Sequence, residues 1–280
     1  MEKFLIALNK LFPPVVHPFN LNNENIKTYS RWQYEKGAQT IENYTQFASP
    51  EEMFKDKTVL DIGCGAGGKS LYYASLGASH VYGVDILPSY KEESEALAKE
   101  LGFSDKFSFL ACDAQNMPYE SGFFDTVIMN DAMEHVACPE AVLTEILRVL
   151  KPGGRLYINF PPYNHPFGAH LSDAIFIPWV HMFFGEKTLI NSYKKLVSPL
   201  PDGEKRIKFR ISTKDGKEYF SYINKMTLKR FKSILKKLGI EPVYYKEIPL
   251  RAFLTIAAKL PAAKEMFVKM AVCVIEKKKG

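Results

Sequence analysis

A chain of 280 residues, 46% of them hydrophobic, holds enough apolar material for a sizeable core, which excludes a disordered protein and allows one large domain or two small ones. The net charge of +6 is unevenly spread: residues 186–280 hold 23 Lys and Arg against 9 Asp and Glu, which leaves 14 against 22 for residues 1–185. The four cysteines, Cys64, Cys112, Cys138 and Cys273, are widely spaced with no CxxC pair, which argues against a disulfide framework or structural zinc site and favours a reducing, cytoplasmic compartment.

In chain order, MEKFLIALNKLFPPVV opens with a short apolar run that Lys10 interrupts and Pro13-Pro14 ends. It is too short to span a bilayer and reads as a docking helix, with an interfacial membrane contact as the alternative. Residues 1–50 are expected to form an N-terminal helical cap ahead of an α/β domain over 51–280.

From residue 57 to 160 short β-branched runs alternate with helical patterns. KTVLDI, HVYGVDI, KFSFLA, FDTVIMN and GRLYINF read as strands, and GKSLYYASLG, SYKEESEALAKELG and PEAVLTEILRVLKPGG as helices. Strand, helix, strand repeated this way requires right-handed crossovers, hence a doubly wound, mostly parallel α/β sheet. After Phe160 the rhythm breaks. Residues 161–226 are rich in Pro, His and aromatics, and RIKFRISTKDGKEYFSYI sets two alternating runs around a KDGK turn, a hairpin signal. The α/β pattern resumes with a helix from Thr227 to Leu238, the strand EPVYYKEI, a helical stretch and a last strand near MAVCVIEK. Residues 161–226 therefore read as a lid or substrate insertion over one end of the sheet, after the fifth strand.

LDIGCGAGGKS lies between the first strand and first helix, where glycines let backbone approach a ligand at a helix N-terminus. Gly63, Gly65 and Gly68 satisfy a dinucleotide fingerprint, but Asp61 at the strand's end would repel a pyrophosphate and suits the ammonium group of a zwitterionic ligand. Asp85 closes the second strand where a doubly wound sheet places a ribose diol contact, and Asp113 after the third can accept from an adenine amino group.

VLDIGCGAGGKS, GVDI, ACDAQNMP and RVLKPGGRLYINF, in this order over roughly residues 55–160, resemble the motifs of class I S-adenosylmethionine-dependent methyltransferases. The resemblance implies a seven-stranded sheet whose last strand is antiparallel, with cofactor contacts at Asp61, Gly63, Gly65, Asp85, Ile86, Asp113, Ala114 and Asn130.

The fourth strand runs into Asp131, Glu134 and His135 in VIMNDAMEHV. If a helical turn follows, the three share one face, and carboxylates with an imidazole suit Mg²⁺, Mn²⁺, Fe²⁺ or Zn²⁺. DAMEH is similar to the acid-x-x-Glu-His element of ubiquinone-pathway O-methyltransferases and of small-RNA 3′-terminal 2′-O-methyltransferases, although Asp131 stands where those more often carry Glu. That likeness implies a divalent ion held by Asp131, Glu134, His135 and a histidine from beyond the fifth strand, for which His165, His170 and His181 are candidates with Asp173 nearby; His170 is favoured over His181 because it lies in the polar part of the segment. Without a metal the turn is a helix cap with a packed His, and His135, His165 or His170 is a candidate general base. Phe176, Trp179, Phe183 and Phe184, with Tyr29, Trp32 and Tyr34, are candidates for an aromatic lid over an apolar substrate, or for ordinary packing.

The expected activity is transfer of a methyl group from S-adenosylmethionine to a hydroxyl of a small, partly apolar acceptor. The basic C-terminal third keeps open an RNA ribose or protein acceptor, or a phospholipid surface, although TLKRFKSILKKLG also reads as an ordinary helix with one lysine-rich face. A cofactor-binding partner protein without turnover is the reading from another class.

Overall fold

Seven strands make one sheet in the computed structural model, which describes residues 1–23, 27–251 and 264–279. The strands are β1 (Thr58–Ile62), β2 (His80–Asp85), β3 (Phe107–Ala111), β4 (Phe124–Asn130), β5 (Leu150–Phe160), β8 (Tyr244–Pro249) and β9 (Val268–Glu276), while β6 (Ile211–Lys214) and β7 (Lys217–Phe220) form a separate hairpin. The sheet order is β3-β2-β1-β4-β5-β9-β8. The first five strands pair in parallel and β9 pairs antiparallel with β5, Phe160 facing Ala271 and Asn159 facing Val272. Central β4 is buried along nearly its whole length, as a strand covered on both faces must be. This is the class I methyltransferase arrangement that the motifs imply.

The helices are α1 (Glu2–Asn9), α2 (Pro18–Asn23), α3 (Tyr29–Ile41), α4 (Pro50–Phe54), α5 (Gly68–Ser75), α6 (Lys91–Leu101), α7 (Pro139–Val149), α8 (Val180–Phe183), α9 (Glu186–Val197), α10 (Gly203–Arg210) and α11 (Leu228–Lys237). Their starts follow local chemistry. Thr28 Oγ1 accepts from Arg31 N at the head of α3, and Ser49 with Glu52 closes a reciprocal capping box on α4.

Contacts divide the chain into two compact units. A sheet unit comprises Lys27–Phe160, Lys229–Ile248 and Met270–Gly280, and a helical unit comprises Met1–Ile26, Pro161–Leu228 and Pro249–Lys269. The sheet unit's core joins Val59, Leu71, Tyr73, Val81, Ile128 and Val274. The helical unit has its own core, with Leu5, Ile175, Leu189, Tyr193 and Phe220. The expected cap over residues 1–50 is thus divided between 26 and 27: α1 belongs with the helical unit and α3 with the sheet unit. Residues 161–226 fall within the helical unit.

The hairpin is shorter than its alternating pattern predicts. RIKFR lies on α10, not on a strand, and the turn is Asp215-Gly216, both at positive φ (51° and 72°), which is type I′ geometry. In this case burial of Arg206 and Arg210 overrides the two-residue period. The helical stretch expected before the last strand falls largely on residues 252–263, outside the described residues. Among the described residues no helix is long and apolar enough to cross a membrane, and the four cysteines are free thiols.

Candidate active site

The carboxyl ends of β1 and β2 bring two acids to one glycine loop. Asp61, on β1, is 3% exposed, and Ser70 Oγ on α5 donates to its Oδ2 at 2.6 Å. Burial raises its pKa to about 7, against the opposing pull of the Ser70 hydrogen bond and the Lys69 charge. Asp85, at the end of β2, accepts from Gly65 N at 2.9 Å through Oδ2 and from Leu87 N at 3.0 Å through Oδ1. Burial raises its pKa as well, and these amides pull the other way. With the Ile86 amide also bonded to it, the carboxylate keeps a lone pair for a ligand donor.

Two glycines have steric causes that the fingerprint does not state. Gly63 sits at φ +70°, where a Cβ would lie 2.6 Å from Ala132 Cβ, so the loop after β1 closes against the turn after β4. Gly68 would place a Cβ 1.9 Å from the Ser30 carbonyl oxygen of α3. The third glycine therefore serves close packing of α3 on α5. Gln33 of α3 completes that contact: its Oε1 accepts from Gly68 N at 3.3 Å and its Nε2 donates to Cys64 O at 3.2 Å. Gln33, 31 and 35 residues from its partners, leaves no local signal in the sequence.

The remaining cofactor candidates are differently placed. Asp113 is exposed after β3, and its carboxylate accepts from Gln115 N at 2.9 Å and Gln115 Nε2 at 3.0 Å, with Ala114 beside it in the same turn. Ile86 is 68% exposed directly after Asp85. The Asn130 side chain is consumed inside the fold: its Oδ1 accepts from Tyr44 OH at 2.5 Å and Asn159 Nδ2 at 2.7 Å, and its Nδ2 donates to Tyr73 OH at 2.8 Å. A ligand can then meet Asn130 only through its backbone.

After β4 the chain makes a turn and no helix, since α7 starts only at Pro139. Asp131 adopts φ +50°, donates its N–H to Asn159 O at 3.1 Å, and pairs with Lys69 Nζ at 3.0 Å. Asp131 and Glu134 do not share a helix face as expected, because the left-handed residue breaks the helical repeat. Glu134 is 3% exposed, and burial first, then the charge of Asp131, pushes its carboxyl well above the usual range. Its Oε1 lies 4.0 Å from His135 Nε2, on a histidine that faces solvent. A metal ligand must be deprotonated, and the burial that raises Glu134 works against its bare carboxylate until a cation offsets it. Of the residues expected to hold an ion, Asp131, Glu134 and His135 belong to the sheet unit and His170 to the helical unit.

Within the helical unit, His165 Nδ1 accepts from Phe167 N at 3.2 Å, and burial, with Lys269 and His181, lowers its pKa to about 4. Burial lowers His181 to about 4 also, beside the Tyr163 ring at 4.8 Å. His170 lies at φ +52°, with its carbonyl accepting from Arg210 and Tyr222 OH. Asp173 is no ligand candidate: it is buried as the counter-ion of Arg206 at 3.2 Å and Arg210 at 3.1 Å, and accepts from Tyr193 OH at 2.8 Å.

The aromatic set divides between the units. Tyr29 stands over the glycine loop, its hydroxyl 3.4 Å from where a Cβ on Gly65 would be, with Trp32 and Tyr90 as ring neighbours, while Tyr34 packs on Tyr72. Phe184 is buried in the helical core and Phe183 is 70% exposed.

Residues 60–158 match the family described as "Methyltransferase domain". The matched residues lie in the sheet unit, whose strand order is that of the class I methyltransferase fold, with acids at the ends of β1 and β2. The chain is 40% identical over 104 residues to a probable chloroplastic tocopherol O-methyltransferase of Oryza sativa subsp. japonica, covering 37% of this chain and 29% of that one. It is 34% identical over 123 residues to a norajmaline N-methyltransferase of Rauvolfia serpentina, covering 43% and 42%. The matched stretch spans less than half the length of either relative. Over 87% of this chain and 99% of the other, the fold matches a crystal structure of a putative S-adenosylmethionine dependent methyltransferase from Listeria monocytogenes, with TM-score 0.54 at 19% identity.

Proposed function

We propose that this chain transfers the methyl group of S-adenosylmethionine to a hydroxyl of a small, partly apolar acceptor. The observation that supports it best is the buried Asp61 and Asp85 at the ends of neighbouring strands, both bonded into the loop–helix segment that starts at Gly63. In this reading Asp61 meets the ammonium of the cofactor's amino-acid end, while Gly63 and Gly65 let backbone come close. Asp85 takes the ribose diol, Ile86 offers an apolar surface to adenine, and Asp113 with Ala114 meets its amino edge. Asn130 contributes through its backbone.

Bound cofactor supplies a methyl carbon on a sulfonium that departs as a neutral thioether. The chain's part is to align the two reactants and exclude water. His135, in the turn after β4, is assigned as the base that takes the hydroxyl proton. It stands ahead of His165, whose pKa near 4 makes it a weak acceptor at neutral pH, and His170 is the second candidate. No step is routed through a divalent ion.

The test is titration calorimetry with S-adenosylhomocysteine, followed by transfer of labelled methyl to a panel of phenols, alcohols, amines and RNA. The panel includes amines because the relatives' names specify both oxygen and nitrogen as accepting atoms. Turnover of a phenol that is insensitive to salt supports the reading. Salt-sensitive methylation of RNA alone, or tight binding with no transfer to any acceptor, overturns it.

A further inference from the structure

An apolar surface lies open on the helical unit. Eleven large hydrophobic side chains are exposed among the described residues, and six of them sit on two segments of this unit: Met1, Phe4, Leu11 and Val16, and Met182 with Phe183. The segments adjoin, for the Phe4 and Phe184 rings are 6.3 Å apart and Phe183 is the outward-turned residue beside Phe184. An exposed patch of this kind needs an explanation that scattered single residues do not.

The inner face of α1 is fixed, so the outer face is presented rather than frayed. Leu5 is fully buried, Asn9 Nδ2 donates to Ala174 O at 2.9 Å, and Asn9 Oδ1 accepts from Phe176 N at 2.7 Å. Glu2 accepts from Lys195 Nζ at 2.5 Å and Asn191 Nδ2 at 2.7 Å, tying the helix start to α9. Lys3 and Phe4 are exposed on α1, and Lys10 and Leu11 are exposed in the turn that ends it.

We propose that this face docks on an anionic phospholipid surface, with Phe4, Leu11 and Phe183 entering the headgroup–acyl boundary and Lys3 and Lys10 at the headgroups. Charge singles out the occupant. The helical unit holds 16 Lys and Arg against 9 Asp and Glu, whereas the sheet unit holds 21 against 22. A second copy on the same face would set like charge against like, and an anionic membrane meets it with the opposite sign. Apolar insertion and lysine attraction are the two signals that together make interfacial binding stable. The inference concerns the helical unit's surface and holds whether or not the chain turns over a methyl acceptor.

The test is co-sedimentation of the full chain with phosphatidylcholine vesicles, with and without phosphatidylserine, at low and high salt. The wild type is expected to pellet with the anionic vesicles and to be released by salt. A Phe4→Asp, Leu11→Asp variant should lose about ten-fold or more in partitioning, and Lys3→Glu, Lys10→Glu should lose binding to the anionic vesicles selectively. Val243→Asp, an exposed apolar site in the sheet unit, serves as the control that keeps binding. Thermal melts within a few degrees of the wild type establish that the variants fold. Wild type remaining in the supernatant, or the double-Asp variant pelleting equally, overturns the proposal. So does light scattering that shows a dimer broken by the double-Asp variant.

Discussion

The amide of Gly65 donates to Asp85 Oδ2 at 2.9 Å, so the loop leaving β1 is held by the last residue of β2. One carboxylate thus shapes the glycine loop and, in the proposed function, receives the ribose. Replacing Asp85 by Ala removes the acceptor for Gly65 N and Leu87 N together. The expected cost is about 1–3 kcal/mol of stability, with S-adenosylhomocysteine affinity falling about ten-fold or more. Chemical denaturation and calorimetry read the two effects, and unchanged affinity would remove Asp85 from the site.

Asp61 predicts a pH dependence with a definite sign. Its pKa is raised from 3.8 to about 7, so between those values the folded chain keeps a proton that the unfolded chain has released. The group therefore lowers stability as pH rises through that window. Cofactor binding runs the other way, because an ammonium group needs the carboxylate. Affinity for S-adenosylhomocysteine is expected to rise up to about ten-fold per pH unit below 7, and Asp61→Asn should flatten the profile.

Gly68→Ala drives a methyl group into the Ser30 carbonyl, since the added carbon would lie 1.9 Å from that oxygen. A backbone atom cannot turn aside as a side chain can, so α3 must move off α5. A loss of about 2 kcal/mol or more is expected, seen as a lower Tm, together with weaker cofactor binding as Gln33 leaves the loop. A wild-type Tm would show that α3 does not pack there.

Lys69 and Asp131 are partly exposed, and a double-mutant cycle between them should give a coupling of about 1 kcal/mol or less. With Asp131 satisfied by a lysine, Asp131→Asn is expected to lose less than ten-fold in turnover and to respond to chelator as the wild type does. A much larger loss that divalent ions restore would bring back the metal reading.

His135→Ala is expected to lower kcat by about 10²–10⁴ with Tm nearly unchanged, because the imidazole faces solvent. Glu134→Gln should be tolerated in stability, for an amide replaces a carboxyl that burial already drives toward neutrality. If His135→Ala turns over normally, the base lies elsewhere.

Much of the fold is legible in the chain because its causes are local. Alternating β-branched runs and amphipathic helices specify the order of strands, and Asp61, Asp85 and Asp113 stand out because each lies at or just beyond the carboxyl end of a strand of the parallel set. The hairpin departs from its period where burial rules: RIKFR reads as a strand and forms α10 around two buried arginines. Likewise Asp131, Glu134 and His135 read as one helix face, and the left-handed backbone at Asp131 takes that residue out of the helical repeat.

What sequence order alone could settle was the chemistry at the ends of β1, β2 and β3, since a glycine loop and an acid after each strand are short-range features. The partners of those groups came from packing. Lys69 reaches Asp131 across 62 residues, Gln33 reaches the glycine loop across 31 and 35, and Asn130 is locked by Tyr44 and Tyr73 from 86 and 57 residues away. No spacing rule reports such contacts, because they exist only once the core has brought distant elements together.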